Sequence, residues 1–349
     1  MISARGEVMQ IDNDKAQKIV NNMIKRNNIF GVVVSIEDES GNIFQSSRGN
    51  LKQESHFCIA SITKLFTATV IYNLIHERKL SNDDTIDKFI DIENLKDLHV
   101  YRGQDYSREI TIAHLLSHTS GLADFYTEKS KQYRPYSSQL FQQERPITFE
   151  EILTRTRQLK AHFVPGSNKA YYSDLNFELL GLVAERTTGK SLEGLYQMYI
   201  FKPLNFSNTF VCQPQSEFSH IYFGEKELHH PGAIASMIAS GGIISNTEEL
   251  MRFIKASMNG ELFPKMYIQQ NQWNRIQWYP LTYSRGMMRC EMPRFMSPFI
   301  PAPEIIGHSG STGSFAFYCP NKKVYIVGTY NQIKKVPFQL IYQLLDSIK

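Results

Sequence analysis

Hydrophobic and polar positions change period several times along this chain, and the changes mark out its elements. In residues 12–27, DNDKAQKIVNNMIKRN, the residues Ala16, Ile19, Val20, Met23 and Ile24 recur at helical spacing, which predicts an amphipathic helix. FGVVVSIEDESGNIFQSSRG follows, two runs of strand character broken at Glu39-Ser40-Gly41-Asn42. Residues 61–78, SITKLFTATVIYNLIHER, are apolar on nearly every side, as in a helix buried in the middle of a protein. From about 82 to 230 the pattern is mainly helical. ITIAHLLSHTSG predicts a short helix ended by Gly121, and SDLNFELLGLVAERTTGK another closed by Gly189. Between them, residues 123–148 are rich in Tyr, Gln and Ser without a period, which predicts a long surface loop or lid. Beyond 230, MIASGGIISNTEELMRFIKASMNG predicts a turn and then a helix capped at Asn246 or Thr247. Segments around 283–290, 314–319 and 324–330 read as strands, and 336–348 as a closing helix. Strands at both ends around a helical middle predict one α+β domain over residues 1–349. Its antiparallel sheet comes from both termini, about 10–60 and 231–349, flanked by helices. The mainly helical part, about 61–230, is inserted as a subdomain.

Composition narrows the class. With 349 residues, 42% hydrophobic and 21% charged, the chain is globular rather than disordered. A chain this long buries roughly three quarters of its unfolded surface and needs neither disulfide nor metal to hold a core. The net charge of +4 comes from 38 basic and 34 acidic residues, scattered without an arginine-rich run, which argues against nucleic acid as a partner. Cys58, Cys212, Cys290 and Cys319 lie far apart and form no zinc-type cluster. No run of 18 apolar residues occurs, so no membrane span is expected. The N-terminal string MISARGEVMQIDND has no apolar core of a secretory leader. As written the chain reads as cytoplasmic, or as periplasmic or secreted if a leader once preceded it.

Three short segments carry candidate chemistry. Ser61-Ile62-Thr63-Lys64 opens the buried helix, and positions i and i+3 share a face, so the Lys64 ammonium can sit beside the Ser61 hydroxyl. A serine is a poor nucleophile until a neighbour takes its proton, which a desolvated lysine can do. The helix start also aims backbone N–H groups at any oxyanion formed there. Alone, S-x-x-K is expected about once by chance in a chain this long. Tyr172-Ser173-Asp174 follows FVPGS; a tyrosine near the nucleophile can act as a base, while the plainer alternative is packing at a helix start capped by Ser173 or Asp174. His308-Ser309-Gly310 precedes SFAFYC; a cation, a hydroxyl and a glycine at a strand edge can bind a substrate carboxylate, or simply form a glycine-rich turn.

Together, in this order and spacing, the three segments resemble the serine β-lactamase and penicillin-binding protein superfamily over roughly residues 15–345. The similarity is greatest to the class C β-lactamase-like branch, with its D-Ala-D-Ala carboxypeptidases, D-aminopeptidases and family VIII-type esterases. FCIASITKLFTATVIYNLI, ITIAHLLSHTSGL, FVPGSNKAYYSDLNFELLG, SGGIISNTEELMRF and IGHSGSTGSFAFY carry it. The resemblance implies a β-lactamase/transpeptidase-like fold, Ser61 as nucleophile and Lys64 with Tyr172 as its base system. It further implies backbone N–H groups of Ser61 and Ser311 as the oxyanion hole, and Asp174, His308, Ser309 and Gly310 on the substrate.

Two departures bear on the substrate. Asp174 stands where the family's second segment usually ends in Asn, and His308-Ser309-Gly310 replaces the Lys-Thr-Gly of β-lactamases, so a peptide or ester is expected ahead of a β-lactam. The expected activity is a cofactor-free, metal-free serine hydrolase of carboxypeptidase or esterase type on a small-molecule or short-peptide substrate. Acyl transfer to an amine or alcohol through the same residues is an alternative, and a penicillin-binding protein with negligible turnover is another. Oligomeric state is left open. His118 is expected to cap and pack, His229-His230 to be a loop pair, and Cys58 to be a small buried hydrophobe. Trp273, Trp278, Tyr279 and Tyr283 read as core or rim packing as readily as cleft lining.

Overall fold

The computed structural model describes residues 10–140, 142–269, 272–293, 295 and 302–348. Residues 1–9, most of the string bearing on localisation, lie outside that set. The helix α1 (Asn13–Asn27) begins at Asp12, whose side chain accepts from Lys15 N at 2.9 Å. An antiparallel sheet of eight strands is the backbone of the fold. Its strands are β1 (Gly31–Asp38), β2 (Gly41–Gly49), β3 (Asn274–Arg275), β4 (Leu281–Ser284), β5 (Met287–Cys290), β6 (Ile305–Ser309), β7 (Phe315–Cys319) and β8 (Val324–Thr329). They lie in the order β3-β4-β5-β6-β7-β8-β1-β2, so the N-terminal hairpin joins the sheet by pairing β1 with the last strand, Val33 opposite Thr329 and Glu37 opposite Tyr325. Every residue of β8 is buried, as expected of a strand with helices on both faces.

The two sheet faces are covered by different helices. α1 touches the face of Val34 and Ser46, where Ser46 Oγ donates to Gln17 at 3.1 Å, and it packs against the closing helix Phe338–Leu345. The helix Thr247–Asn259 covers the opposite face, placing Lys255 Nζ 2.8 Å from Glu37. Asn246 caps that helix by accepting from Glu249 N at 2.9 Å. The buried helix Thr63–His76 packs on Asp174–Thr188 and, through Phe66 stacked on Phe253 at 3.7 Å, on Thr247–Asn259.

Four expectations change in detail. The helix in ITIAHLLSHTSG stops at Leu116, and Gly121 is not its cap. Gly121 takes its left-handed φ of 77° further on, where a Cβ would collide with the Phe163 carbonyl. The segment around 283–290 is a hairpin of β4 and β5 rather than one strand, and His308 lies within β6 rather than at a strand's edge. The stretch 123–148 contains a short helix, Tyr136–Leu140. Among the described residues no helix is long and apolar enough to cross a membrane.

Candidate active site

A small three-stranded sheet sets the position of Ser61. Phe57–Cys58 pairs with Ile243–Ser245, which pairs in turn with Phe210–Val211. The chain then turns sharply into one 3₁₀ turn, Ala60–Ile62, ahead of the buried helix. Ala60 has φ 48°, a left-handed conformation that costs an L-residue roughly 1–2 kcal/mol. The loop after β6 offsets this by bracing the turn: Thr312 Oγ1 donates to Cys58 O at 2.9 Å and Ser314 Oγ to Ile59 O at 2.8 Å. Gly310 permits that approach, because a Cβ there would stand 2.5 Å from Ile59 O.

One helical turn on, Lys64 is fully buried. Its Nζ lies 3.1 Å from Ser61 Oγ and 2.9 Å from Ser240 O, and forms an ion pair with Asp174. These three acceptors match the three protons of an ammonium. Nζ also lies 5.0 Å from the centre of the Tyr172 ring. The Tyr172 hydroxyl faces Ser61, and burial, followed by the Asp174 charge, holds it well above the usual tyrosine range. Gln277 clamps the Tyr172 backbone, accepting from its N at 2.8 Å and donating to its O at 2.9 Å.

Behind this pair sit Asp124, Glu178 and Tyr126, which sequence reasoning passed over, and His118, which it expected to cap and pack. Asp124 accepts from Asp174 N at 3.0 Å and from Thr127 N at 3.1 Å, and burial, then the Asp174 charge, pushes it up to about 7. Glu178, one helical turn beyond Asp174, is likewise pushed up to about 7, first by burial. Tyr126 reaches across toward Ser311. His118 is buried, and its Nδ1 accepts from Ser173 N at 3.2 Å and from Asn176 Nδ2 at 2.8 Å while the ring packs 4.3 Å from that of Tyr172. Burial and the Lys64 charge keep it neutral. Asp174 and Glu178 at positions i and i+4 of a helix whose first three turns are otherwise apolar but for Asn176 were the signal available in the sequence.

A cleft open to solvent lies above Ser61. Ser61, Asp174, Ser240, Ser311 and Thr312 face it, together with apolar walls that include Ile221, Leu228, Ile234, Met237 and Ile333. His308, Ser309 and Gly310 are not among its lining residues. The expectation that His308 offers a titrating cation to a substrate carboxylate is corrected here. His308 points into the protein, its Nδ1 donating to Ser309 O at 2.8 Å and its Nε2 accepting from Tyr283 Oη at 3.3 Å. Burial, and then the Lys64 charge, push it down to about 3, so it is neutral at any ordinary pH. Ser309 Oγ contacts Met288 Sδ, and Gly310 packs against the Ser61 turn. Of the expected residues, Ser61, Lys64, Tyr172, Asp174 and Ser311 converge on one place, with the buried His308 ring 6.0 Å from that of Tyr172 and Gly310 against the Ser61 turn.

Known proteins are similar to this chain in sequence or in fold. The carboxypeptidase/endopeptidase AmpH of Escherichia coli K12, acting on D-alanyl-D-alanine by its name, is 23% identical over 308 residues, 83% of this chain and 74% of its own. A D-stereospecific amidohydrolase from Streptomyces superposes with a TM-score of 0.76 at 23% identity, covering 96% of this chain and 98% of that one. EstCE1, a hydrolase with promiscuous acyltransferase activity, superposes with a TM-score of 0.77 at 20% identity, covering 96% and 97%. The family described as Beta-lactamase matches residues 16–344, and the chain belongs to it.

Proposed function

We propose that this protein is a serine hydrolase that forms an acyl-enzyme on Ser61, acting on amides or esters with an apolar acyl part and no free carboxylate to be recognised. The observation that carries the reading is the buried Lys64 Nζ 3.1 Å from Ser61 Oγ on the floor of an apolar cleft. In its amine form Lys64 accepts the Ser61 proton as Oγ attacks the acyl carbonyl. The proton reaches the departing amine or alcohol across the Tyr172 hydroxyl as the bond to the leaving group breaks. Water then attacks the ester on Ser61 and releases the acid. Backbone N–H groups of Ser61 and Ser311 are the oxyanion donors in this reading. The choice of substrate rests on the cleft: no Lys or Arg is among its described lining residues, its acid is Asp174, its histidine, His230, is held below the usual range by burial, and His308 is buried and neutral. The activities named for the relatives, a carboxypeptidase, an amidohydrolase and a hydrolase with acyltransferase activity, all begin from an attacked acyl carbon.

Labelling with a fluorophosphonate or a fluorescent penicillin is the direct test. One adduct per chain is expected, mapped to Ser61 and abolished by Ser61→Ala. An adduct on another serine that persists in that variant would refute the assignment. KM for one acyl group presented as a free-acid peptide and as its amide should follow the same course between pH 8 and 6, because His308 gains no proton there. A free-acid KM that falls selectively with pH would restore carboxylate recognition.

A further inference from the structure

Among the described residues Glu178 makes no ion pair, although the Lys64 charge reaches it. It is 6% exposed, does not line the cleft, and its Oε1 is buried without a hydrogen-bond partner. The nearest cation is Lys64, whose three ammonium protons already go to Ser61 Oγ, Asp174 and Ser240 O. The polar group facing the Glu178 carboxyl is Ser240, 1% exposed, whose Oγ is also buried and unpartnered. The other titratable groups around it are Asp174 on its own helix, Asp124 beyond Asp174, and Tyr196 from Leu192–Tyr196. A carboxylate enclosed in this way, beside another carboxylate and with no free cation, is the arrangement that buried acids escape by holding a proton.

We infer that Glu178 serves the site as a neutral carboxylic acid, and that its ionisation switches the site off by adding a second negative charge beside Lys64. The inference rests on Lys64 acting as the base for Ser61. A lysine flanked by one carboxylate gives up a proton to become an amine more readily than one flanked by two. Protonated Glu178 can also donate to Ser240, the residue whose carbonyl holds Lys64 in place. Glu178 is thus a positioning residue that acts through Lys64 and Ser240 without touching the substrate. Its carboxyl titrates near neutrality, so the switch falls in the physiological range.

The test is the acylation rate, kcat/KM for a neutral ester, from pH 5 to 9 in wild type, Glu178→Gln, Glu178→Met and Asp124→Asn. Wild type should lose about tenfold or more as pH rises through 7 and Glu178 ionises. Glu178→Gln and Glu178→Met, both permanently uncharged, should show no such fall, with Met, which cannot donate to Ser240, the slower of the two at every pH, and with melting curves confirming the fold. Three outcomes overturn the inference: the fall persists unchanged in both Glu178 variants, it vanishes only in Asp124→Asn, or both Glu178 variants are folded and inactive at every pH. Ser61 labelling on the same samples keeps the two readings apart. Full labelling with an unchanged profile sinks the switch alone, and a wild type unlabelled at Ser61 sinks the acyl-enzyme reading and the switch with it.

Discussion

Asp174 is the residue whose charge reaches furthest through the site. It pairs with Lys64 and helps to hold Tyr172, Glu178 and Asp124 in their protonated forms. Asp174→Asn keeps an oxygen for Lys64 Nζ and the backbone bond to Asp124, and removes the charge. The whole pH–rate profile should therefore move to lower pH, with the optimum rate close to wild type. A collapse of kcat in a folded variant would mean that the carboxylate itself moves a proton. At this scale the sequence was legible where geometry is local: Ser61 and Lys64 meet because i and i+3 must meet on a helix. It was not legible for His308, because one position in β6 separates a side chain facing the cleft from one facing the core, and neighbouring strands decide which.

The elements around Ser61 work as supports, and Gly310 is the support most easily tested. Gly310→Ala would drive a Cβ into Ser314 Oγ and the Ile59 carbonyl, pushing the loop after β6 off the Ser61 turn. An overpacked contact of this kind costs about 1–3 kcal/mol. The labelling rate at Ser61 should fall by about tenfold or more, beyond what the loss of melting temperature alone explains. An unchanged rate would show that the turn holds itself. The helices Thr63–His76, Asp174–Thr188 and Thr247–Asn259 were readable because each has a strong periodic or apolar signal and, in two cases, a side-chain or glycine cap. The end of the helix at Leu116 was not, because Gly121 answers to a collision with Phe163, a contact 42 positions away in sequence order that no local rule contains.

For the whole molecule, buried acids and buried histidines pull stability in opposite directions with pH. Glu178 has a folded pKa near 7, above that of an unfolded glutamate, so its contribution is fully present below about pH 4 and is lost as pH rises through 7. His118 and His308 have depressed values, so their contribution is lost as pH falls below about 6.5. Glu178→Gln should thus match wild type in melting temperature near pH 4 and exceed it at pH 8, by up to roughly 3 kcal/mol in stability. A variant less stable than wild type at pH 8 would contradict the enclosed, unpaired carboxyl. The pairing of β1 with β8, and the bonds from Thr312 and Ser314 to Cys58 and Ile59, carry a consequence for biosynthesis. During translation Ser61 leaves the ribosome long before residues 312–329 exist, so the nascent chain carries an unbraced serine turn and an N-terminal hairpin still waiting for its neighbour. The bracing of the serine turn and the partner of the N-terminal hairpin are therefore completed only once residues 312–329 have been made, and until then the hairpin presents an unpaired strand edge.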